Sequence, residues 1–269
     1  MDPSGRPIGI FDSGIGGLTV ANAIKKLLPN ESIVYFGDTA HLPYGDKSAD
    51  ALRYFSLRIS KFLIDQKCKA IVVACNSASS TSFDTLTDFF QKEVLFLNVV
   101  DPLVQATLEK DYKNVGVIAT KATIRSNAYQ RKLNASDSLL EVNQLATPLL
   151  VHMIEEGYHN NEISHAILDN YLKLDQFSEI EALLLACTHY PLIKSEIQAY
   201  FKNKVDILDP NESLAQRLKI TLEANGLLNE SSNKEQDRFY VSDFTDSFLE
   251  TTKLFYGQQV ELKEIDIWK

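Results

Sequence analysis

The stretch AIVVACN, Ala70 to Asn76, returns further along the chain as ALLLACT, Ala182 to Thr188. Each copy reads alanine, three branched or large apolar residues, alanine, cysteine and a small polar residue. A short, continuous apolar run with polar flanks reads as a strand covered on both faces, the habit of parallel sheets. The same habit recurs at residues 7–11, 32–36, 94–99, 114–119, 139–145, 204–208, 238–242 and 260–265. Amphipathic segments lie between these runs. In ADALRYFSLRISKFLIDQ (49–66), Leu52, Phe55, Ile59, Phe62 and Leu63 fall at helical spacing. Strands that alternate with helices specify an α/β protein with mainly parallel sheets.

The two copies also place chemistry. In each the strand is expected to end at the cysteine, and a helical pattern follows, at 77–90 and at 190–201. Ligands of α/β sheets collect beyond the carboxyl ends of strands. Cys75 and Cys187 therefore stand where an active site is expected, each near a helix N-terminus whose dipole lowers a thiol pKa. A single cysteine at a strand end is often plain core. Two in matching frames, each followed by a polar residue, favour chemistry. Cys68, between Lys67 and Lys69, has no such context and reads as structural.

Composition narrows the classes. The chain has 269 residues, 45% hydrophobic and 23% charged, enough for one large or two modest domains with real cores. No apolar run approaches the ~20 residues of a membrane span. The opening MDPSGRPIG lacks the basic-then-apolar order of a signal peptide, so the expected compartment is the cytoplasm. A net charge of −9 argues against nucleic-acid binding by a basic surface. Three cysteines and five histidines, without CxxC or HxxxH spacing, suggest free thiols and no metal site. Asp101-Pro102 and Asp209-Pro210 interrupt the pattern and mark two crossings between domains. The expected division is 1–98 with 209–269 as a first, discontinuous domain and 99–208 as a second, inserted one. The polar stretch 229–238 reads as a loop.

Near the N-terminus stands IGIFDSGIGGLTV (8–20). Its glycines suggest a phosphate cradle, but no Gly-Lys-Ser/Thr follows and the order is Gly14-Ile15-Gly16-Gly17, not GxGxxG. Asp12 would also repel a phosphate. An amino acid brings an ammonium group, which an aspartate suits. Asp12 and Ser13 thus read as site residues at a strand end, and the glycines as a tight turn that starts a helix at Leu18.

FDSGIGGLTV, YFGDTAHLPYG, VVACNSAS, LLVHMIEEG and LLLACTHYPLI, in this order and spacing, resemble the glutamate racemases of bacteria, most clearly over residues 7–210. The resemblance implies two similar α/β domains facing each other across a cleft, and racemisation without pyridoxal phosphate or metal. One cysteine thiolate removes the α-proton and the other domain's cysteine returns a proton to the opposite face. It implies Cys75 and Cys187 as the catalytic thiols, Asp12 beside the first and His189 beside the second. Glu155 becomes the assisting acid, with Glu156 open as the alternative. Ser13, Pro43, Tyr44, Gly45, Asn76, Ser77, Thr120, Thr123 and Thr188 become substrate contacts, alongside Asp12 and His189. The implied partners are L- or D-glutamate and a second copy in a homodimer, with no nucleic acid and no membrane. The implied role is supply of D-glutamate to peptidoglycan synthesis.

Some positions depart from the usual pattern. Ser77 stands where threonine is common, Ala122 where glycine is, His152 where proline is, and Thr147 where a further cysteine is. His41, His152, His159 and His165 read as surface or structural, and Asp38 as an ordinary strand-end acid.

Two bases fit the echo physically. Racemisation without a swinging group needs one acid and one base on opposite faces of the α-carbon. A thiol, with a reference pKa near ~8.5, can be tuned to either task. Aspartate remains an alternative substrate, since one methylene is worth only ~1–3 kcal/mol in a pocket. A cysteine hydrolase using Cys187 and His189 is a further alternative, but it leaves the second matched cysteine unexplained.

Overall fold

The computed structural model describes residues 3–90, 93–231 and 234–269. Two parallel sheets organise them. The larger has the order β10-β9-β2-β1-β3-β4. Its strands are β1 (Ile8–Asp12), β2 (Ile33–Gly37), β3 (Ala70–Val73), β4 (Leu95–Asn98), β9 (Arg238–Val241) and β10 (Leu262–Glu264). The smaller has the order β6-β5-β7-β8, from β5 (Asn114–Ala119), β6 (Glu141–Ala146), β7 (Ala182–Ala186) and β8 (Asp206–Leu208). Every pairing is parallel, with Ile8 in register with Ile33 and Ala70, and Val115 with Val142 and Ala182.

The order β2-β1-β3-β4 in one sheet matches β6-β5-β7-β8 in the other. The sequence echo is therefore a structural one: AIVVACN supplies β3 and ALLLACT supplies β7, the same place in each sheet. In both, the first strand lies between the second and the third. The connection after the first strand runs one way along the sheet and that after the third runs the other, which opens a crevice between their carboxyl ends. Asp12 ends β1 and Cys75 follows β3. Thr120 follows β5 and Cys187 follows β7. The two crevices supply the walls of one cleft.

The strands are apolar because both faces are covered. All residues of β1, β2, β3 and β7 are buried. The edge strand β6 is half-exposed. Helices fill the crossovers: α1 (Leu18–Leu27), α2 (Ala49–Asp65), α3 (Asn76–Phe90), α4 (Val100–Leu108), α5 (Lys121–Ser126), α6 (Ala128–Ser136), α7 (Pro148–Glu155), α8 (Glu162–Leu172), α9 (Lys194–Tyr200), α10 (Asn211–Ala224) and α11 (Asp246–Tyr256). In α2 the apolar positions read from the sequence face inward, with Leu52, Ile59 and Leu63 buried, and the Ser48 side chain caps its first turn by accepting from Ala51 N. Asn161 caps α8 by accepting from Ile163 N and Ser164 N. These caps satisfy amides that an isolated helix leaves open.

The chain leaves the larger sheet after β4 and returns at β9. Asp101-Pro102 does not interrupt the chain there: it lies in the first turn of α4, where a proline costs no hydrogen bond. The loop read at 229–238 runs into β9, and its residues 232 and 233 lie outside the described residues. Behind the larger sheet Lys69 and Glu31 form an ion pair at 2.5 Å, both side chains 1% exposed. Lys69 also donates to the carbonyls of Ser4 and Leu227, and Glu31 accepts from Asn229 N. This cluster fastens the returning segment to the start of β3.

Candidate active site

A cavity of about 260 Å³ opens where the carboxyl ends of the two sheets meet. That is below the size of a drug-binding cleft and suits one small molecule. Both Cys75 and Cys187 line it, and each is 5% exposed.

On one wall, Cys75 sits two residues past β3 and immediately before α3. The Ser13 side chain hydrogen-bonds to its sulfur. Burial, reinforced by the negative Asp12, pushes its pKa up to about 12. The backbone amide of Ala78 in the first turn of α3 does lower it, but desolvation outweighs that, so the net shift is upward, contrary to the sequence-based expectation. Asp12 lies behind this wall, fully buried. Its Oδ2 accepts from Gly14 N at 3.2 Å and Gly17 N at 3.0 Å. Its Oδ1 has no partner among the described residues. Burial raises the Asp12 pKa, while His189 and the loop amides oppose the rise.

On the other wall, Cys187 Sγ lies 3.8 Å from His189 Nδ1, and His189 Nε2 lies 2.8 Å from Glu155 Oε1. His189 is 4% exposed. Burial works against its charge, but hydrogen bonds and attraction to Cys187 and Glu155 win, and its pKa is pushed up to about 10. Glu155 on α7 is the acid that reaches the histidine; Glu156 is exposed. The residues after Cys187 form a 3-10 turn, Tyr190–Ile193, before α9. So the polar partner of this thiol is an imidazole and not the start of an α-helix.

The glycines of the opening motif serve close approach. None of Gly14, Gly16 and Gly17 has a positive φ, so no left-handed turn requires them. A Cβ on Gly16 would stand 2.4 Å from His189 Cε1 and 2.6 Å from Thr188 Oγ1, and one on Gly17 would stand 2.5 Å from Asp12 Cβ. α1 does start at Leu18. Thr19 Oγ1 then donates to the Thr188 carbonyl at 3.0 Å.

Polar groups close the cavity. Ser77 Oγ and Thr120 Oγ1 are 2.8 Å apart, and Thr120 Oγ1 and Thr123 Oγ1 are 3.2 Å apart. Thr120 caps α5 and lines the cavity, whereas Thr123 sits behind it. Asn76 Oδ1 accepts from Tyr129 OH at 2.7 Å, and its Nδ2 has no partner among the described residues. Pro43, Tyr44 and Gly45 form the rim, with a cis peptide between Leu42 and Pro43. Tyr44 OH donates to Asp38 Oδ2 at 2.6 Å, and Ser242 Oγ donates to Asp38 Oδ1 at 2.8 Å. Asp38 is thus a buried anchor of the rim and not merely a strand-end acid. Ser13 and Thr188 also line the cavity.

Sequence reading missed Leu42, Asp46, Lys121, Pro148, Val151 and His152, all of which line the cavity. His152 is exposed, and it also lines the rim because it lies three residues before Glu155 on one helix and shares its face. Lys121 Nζ meets Asp46 Oδ1 at 3.2 Å across the mouth.

The family model for Asp/Glu/hydantoin racemases matches residues 18–218. Glutamate racemase of Chlorobaculum parvum is 37% identical over 262 residues, which cover 97% of this chain and 95% of the relative. Glutamate racemase of Thermoanaerobacter sp. strain X514 is 38% identical, covering 98% of each. The crystal structure of glutamate racemase from Francisella tularensis in complex with D-glutamate superposes with a TM-score of 0.92 at 38% identity, covering 98% of this chain and 99% of that one.

Proposed function

The chain belongs to the Asp/Glu/hydantoin racemase family, and on that premise we propose that it interconverts L- and D-glutamate by a two-base mechanism carried by Cys75 and Cys187. The observation that carries this reading is the pair of buried cysteines. They come from equivalent places in two sheets and line one small cavity.

The two thiols have different partners, which suits unlike protonation states. His189, held between Glu155 and Cys187, gives the base at Cys187 a cationic neighbour. Cys75, buried beside Asp12, keeps its proton. One enantiomer then loses its α-proton to Cys187 and receives a proton from Cys75 on the opposite face. The other enantiomer uses the pair in reverse. For that direction Cys75 must be the base, and the substrate ammonium beside Asp12 and Cys75 offsets their negative charge. Asp12, behind the Cys75 wall, attracts that ammonium by its charge rather than by lining the cavity. Ser13, Asn76, Ser77, Thr120 and Thr188, with Thr123 behind Thr120, supply donors for the carboxylates. Pro43, Tyr44 and Gly45 shape the rim.

The proton shuttle needs no group beyond these side chains. Family resemblance supports a homodimer in the cytoplasm that supplies D-glutamate to peptidoglycan synthesis. Among the described residues no helix is long and apolar enough to cross a membrane. The strand membership of the two sheets supports residues 1–98 with 209–269 as one domain and 99–208 as the other.

The test is incubation with L-glutamate in D₂O without pyridoxal phosphate, with L-aspartate in parallel. Circular dichroism should fall to zero for glutamate as α-deuterium enters. Loss of signal with aspartate alone would transfer the assignment to that substrate, and no loss with either would overturn it.

A further inference from the structure

The proton shuttle leaves one fully buried phenol unused. Tyr129 lies on α6, beside the smaller sheet, and is completely buried. Its hydroxyl is 2.7 Å from Asn76 Oδ1, on the first turn of α3 beside the larger sheet. The contact therefore spans the junction of the two units, directly behind the cavity wall that Asn76 lines.

Its direction is fixed by donors and acceptors. A phenol carries one proton and must place it on an acceptor when buried. Among the described residues the recorded acceptor is Asn76 Oδ1. Turning the amide over would make the phenol oxygen accept from the amide and leave the phenol proton without an acceptor. Burial, with Asp101 and Cys187 adding to it, pushes the Tyr129 pKa up, so the hydroxyl stays a donor. With Oδ1 engaged, the amide nitrogen is what Asn76 has left to offer. That nitrogen is buried and without a partner among the described residues. A buried, unpaired donor on a cavity-lining residue is ready for an oxygen from outside the chain.

Ser77, the next residue of the same turn, also bonds across the junction, to Thr120. That hydroxyl pair lies in the cavity wall, where an incoming carboxylate can separate it. The Tyr129 bond lies behind the wall and can persist when substrate is bound.

We propose that Tyr129 is a positioning residue: from the smaller unit it holds the Asn76 amide of the larger one, so that Nδ2 is presented to a carboxylate oxygen of the amino-acid substrate. Substrate affinity then depends on the registration of the two units through this bond. The proposal rests on the racemase reading for the identity of the ligand.

Tyr129→Phe keeps the buried ring and removes only the hydroxyl. The experiment is calorimetric titration of racemic glutamate, whose composition turnover cannot alter. It is run on the unmodified chain, Tyr129→Phe, Asn76→Ala and the double variant, with urea unfolding of all four. Tyr129→Phe should raise Kd about 3–10-fold, the worth of one oriented hydrogen bond. Adding it to Asn76→Ala should change Kd by less than about 1.5-fold. An equal factor in both backgrounds, or a shifted unfolding midpoint with unchanged Kd, would reduce Tyr129 to a packing residue. If Tyr129→Phe does not fold, Tyr129→Met fills the space without a hydroxyl and runs the same cycle. If the unmodified chain binds glutamate but does not exchange its α-proton, the racemase reading fails while the cycle still decides Tyr129. No binding at all overturns both.

Discussion

Gly16 and His189 touch across the junction of the two units, the glycine Cα facing the edge of the imidazole with no room for one more carbon. The opening motif thus supports the site of the other unit as well as its own. Gly16→Ala should push His189 away from Cys187 or hold the units apart. Displacement of a catalytic group by about 1 Å can cost on the order of 10²-fold. Steady-state kinetics should show kcat/KM reduced by about that factor while far-ultraviolet circular dichroism is unchanged. Near-normal activity would mean that the loop gives way freely.

Cys75 and Cys187 should each be indispensable. A serine hydroxyl is too weak an acid to exchange protons with a thiol's ease, and loss of an acid–base group costs about 10²–10⁴-fold. Cys75→Ser and Cys187→Ser should both lose racemisation by at least that factor, measured by polarimetry from either enantiomer. A variant that kept full rates in both directions would sink the two-base scheme.

Glu155→Gln should move the alkaline limb of the rate profile. The Glu155 carboxylate helps hold the His189 pKa at about 10, against burial, which lowers it. Glutamine still accepts a hydrogen bond but brings no charge, so the histidine should lose its proton at lower pH. The alkaline limb of kcat/KM should shift downward. Stability follows the same sign. The folded pKa lies above the ordinary value near ~6.5, so the charged histidine stabilises the fold fully below about pH 6.5. That contribution fades as pH rises toward 10. The stability gap between the two proteins should be widest near pH 6 and close above pH 10. A gap that widens with pH would contradict the ion pair.

Much of this site is legible in the sequence because its groups sit at strand ends, where chain order and spatial order agree. The apolar runs locate all ten strands of the described residues, and the repeated cysteine frame marks equivalent places in both sheets. Long-range packing is not legible. Nothing in DSGIGG tells that Gly16 faces a histidine more than 170 residues away. A thiol's neighbours can be read locally, but its desolvation cannot, so Cys75 was expected to have a lowered pKa and has a raised one. His152 and Lys121 reach the cavity through a helix face and an inter-unit contact, neither of which leaves a motif.

Lys69→Met should be costly without touching the site. Glu31 is almost wholly buried, and without the ammonium it becomes an uncompensated charge. Removing one partner of a buried pair typically costs ~3–5 kcal/mol. Urea unfolding should register that loss, and Lys69→Met combined with Glu31→Leu should recover most of it. A single-variant loss under about 1 kcal/mol would show that water reaches Glu31.

Trp268, next to the last residue, should matter for binding more than for turnover. His41 stacks on Phe55 with centroids 4.3 Å apart, and Trp268 meets the His41 ring edge-on at 4.5 Å. His41 Nδ1 lies 2.9 Å from Asp38 Oδ1, and Asp38 anchors Tyr44 at the cavity rim. The backbone carbonyl of Ile267 accepts from the Arg58 guanidinium, which holds the tail in place. The tail therefore bears on the rim through an aromatic contact and one carboxylate. Aromatic pairs are worth ~0.5–1.5 kcal/mol beyond their buried area, so Trp268→Ala should loosen the rim without breaking the Asp38 bonds. KM should rise about 2–10-fold with kcat within a factor of about two, because the rim borders the cavity but holds neither of the two thiols. A fall in kcat at constant KM would instead mean that the tail acts on the cysteines.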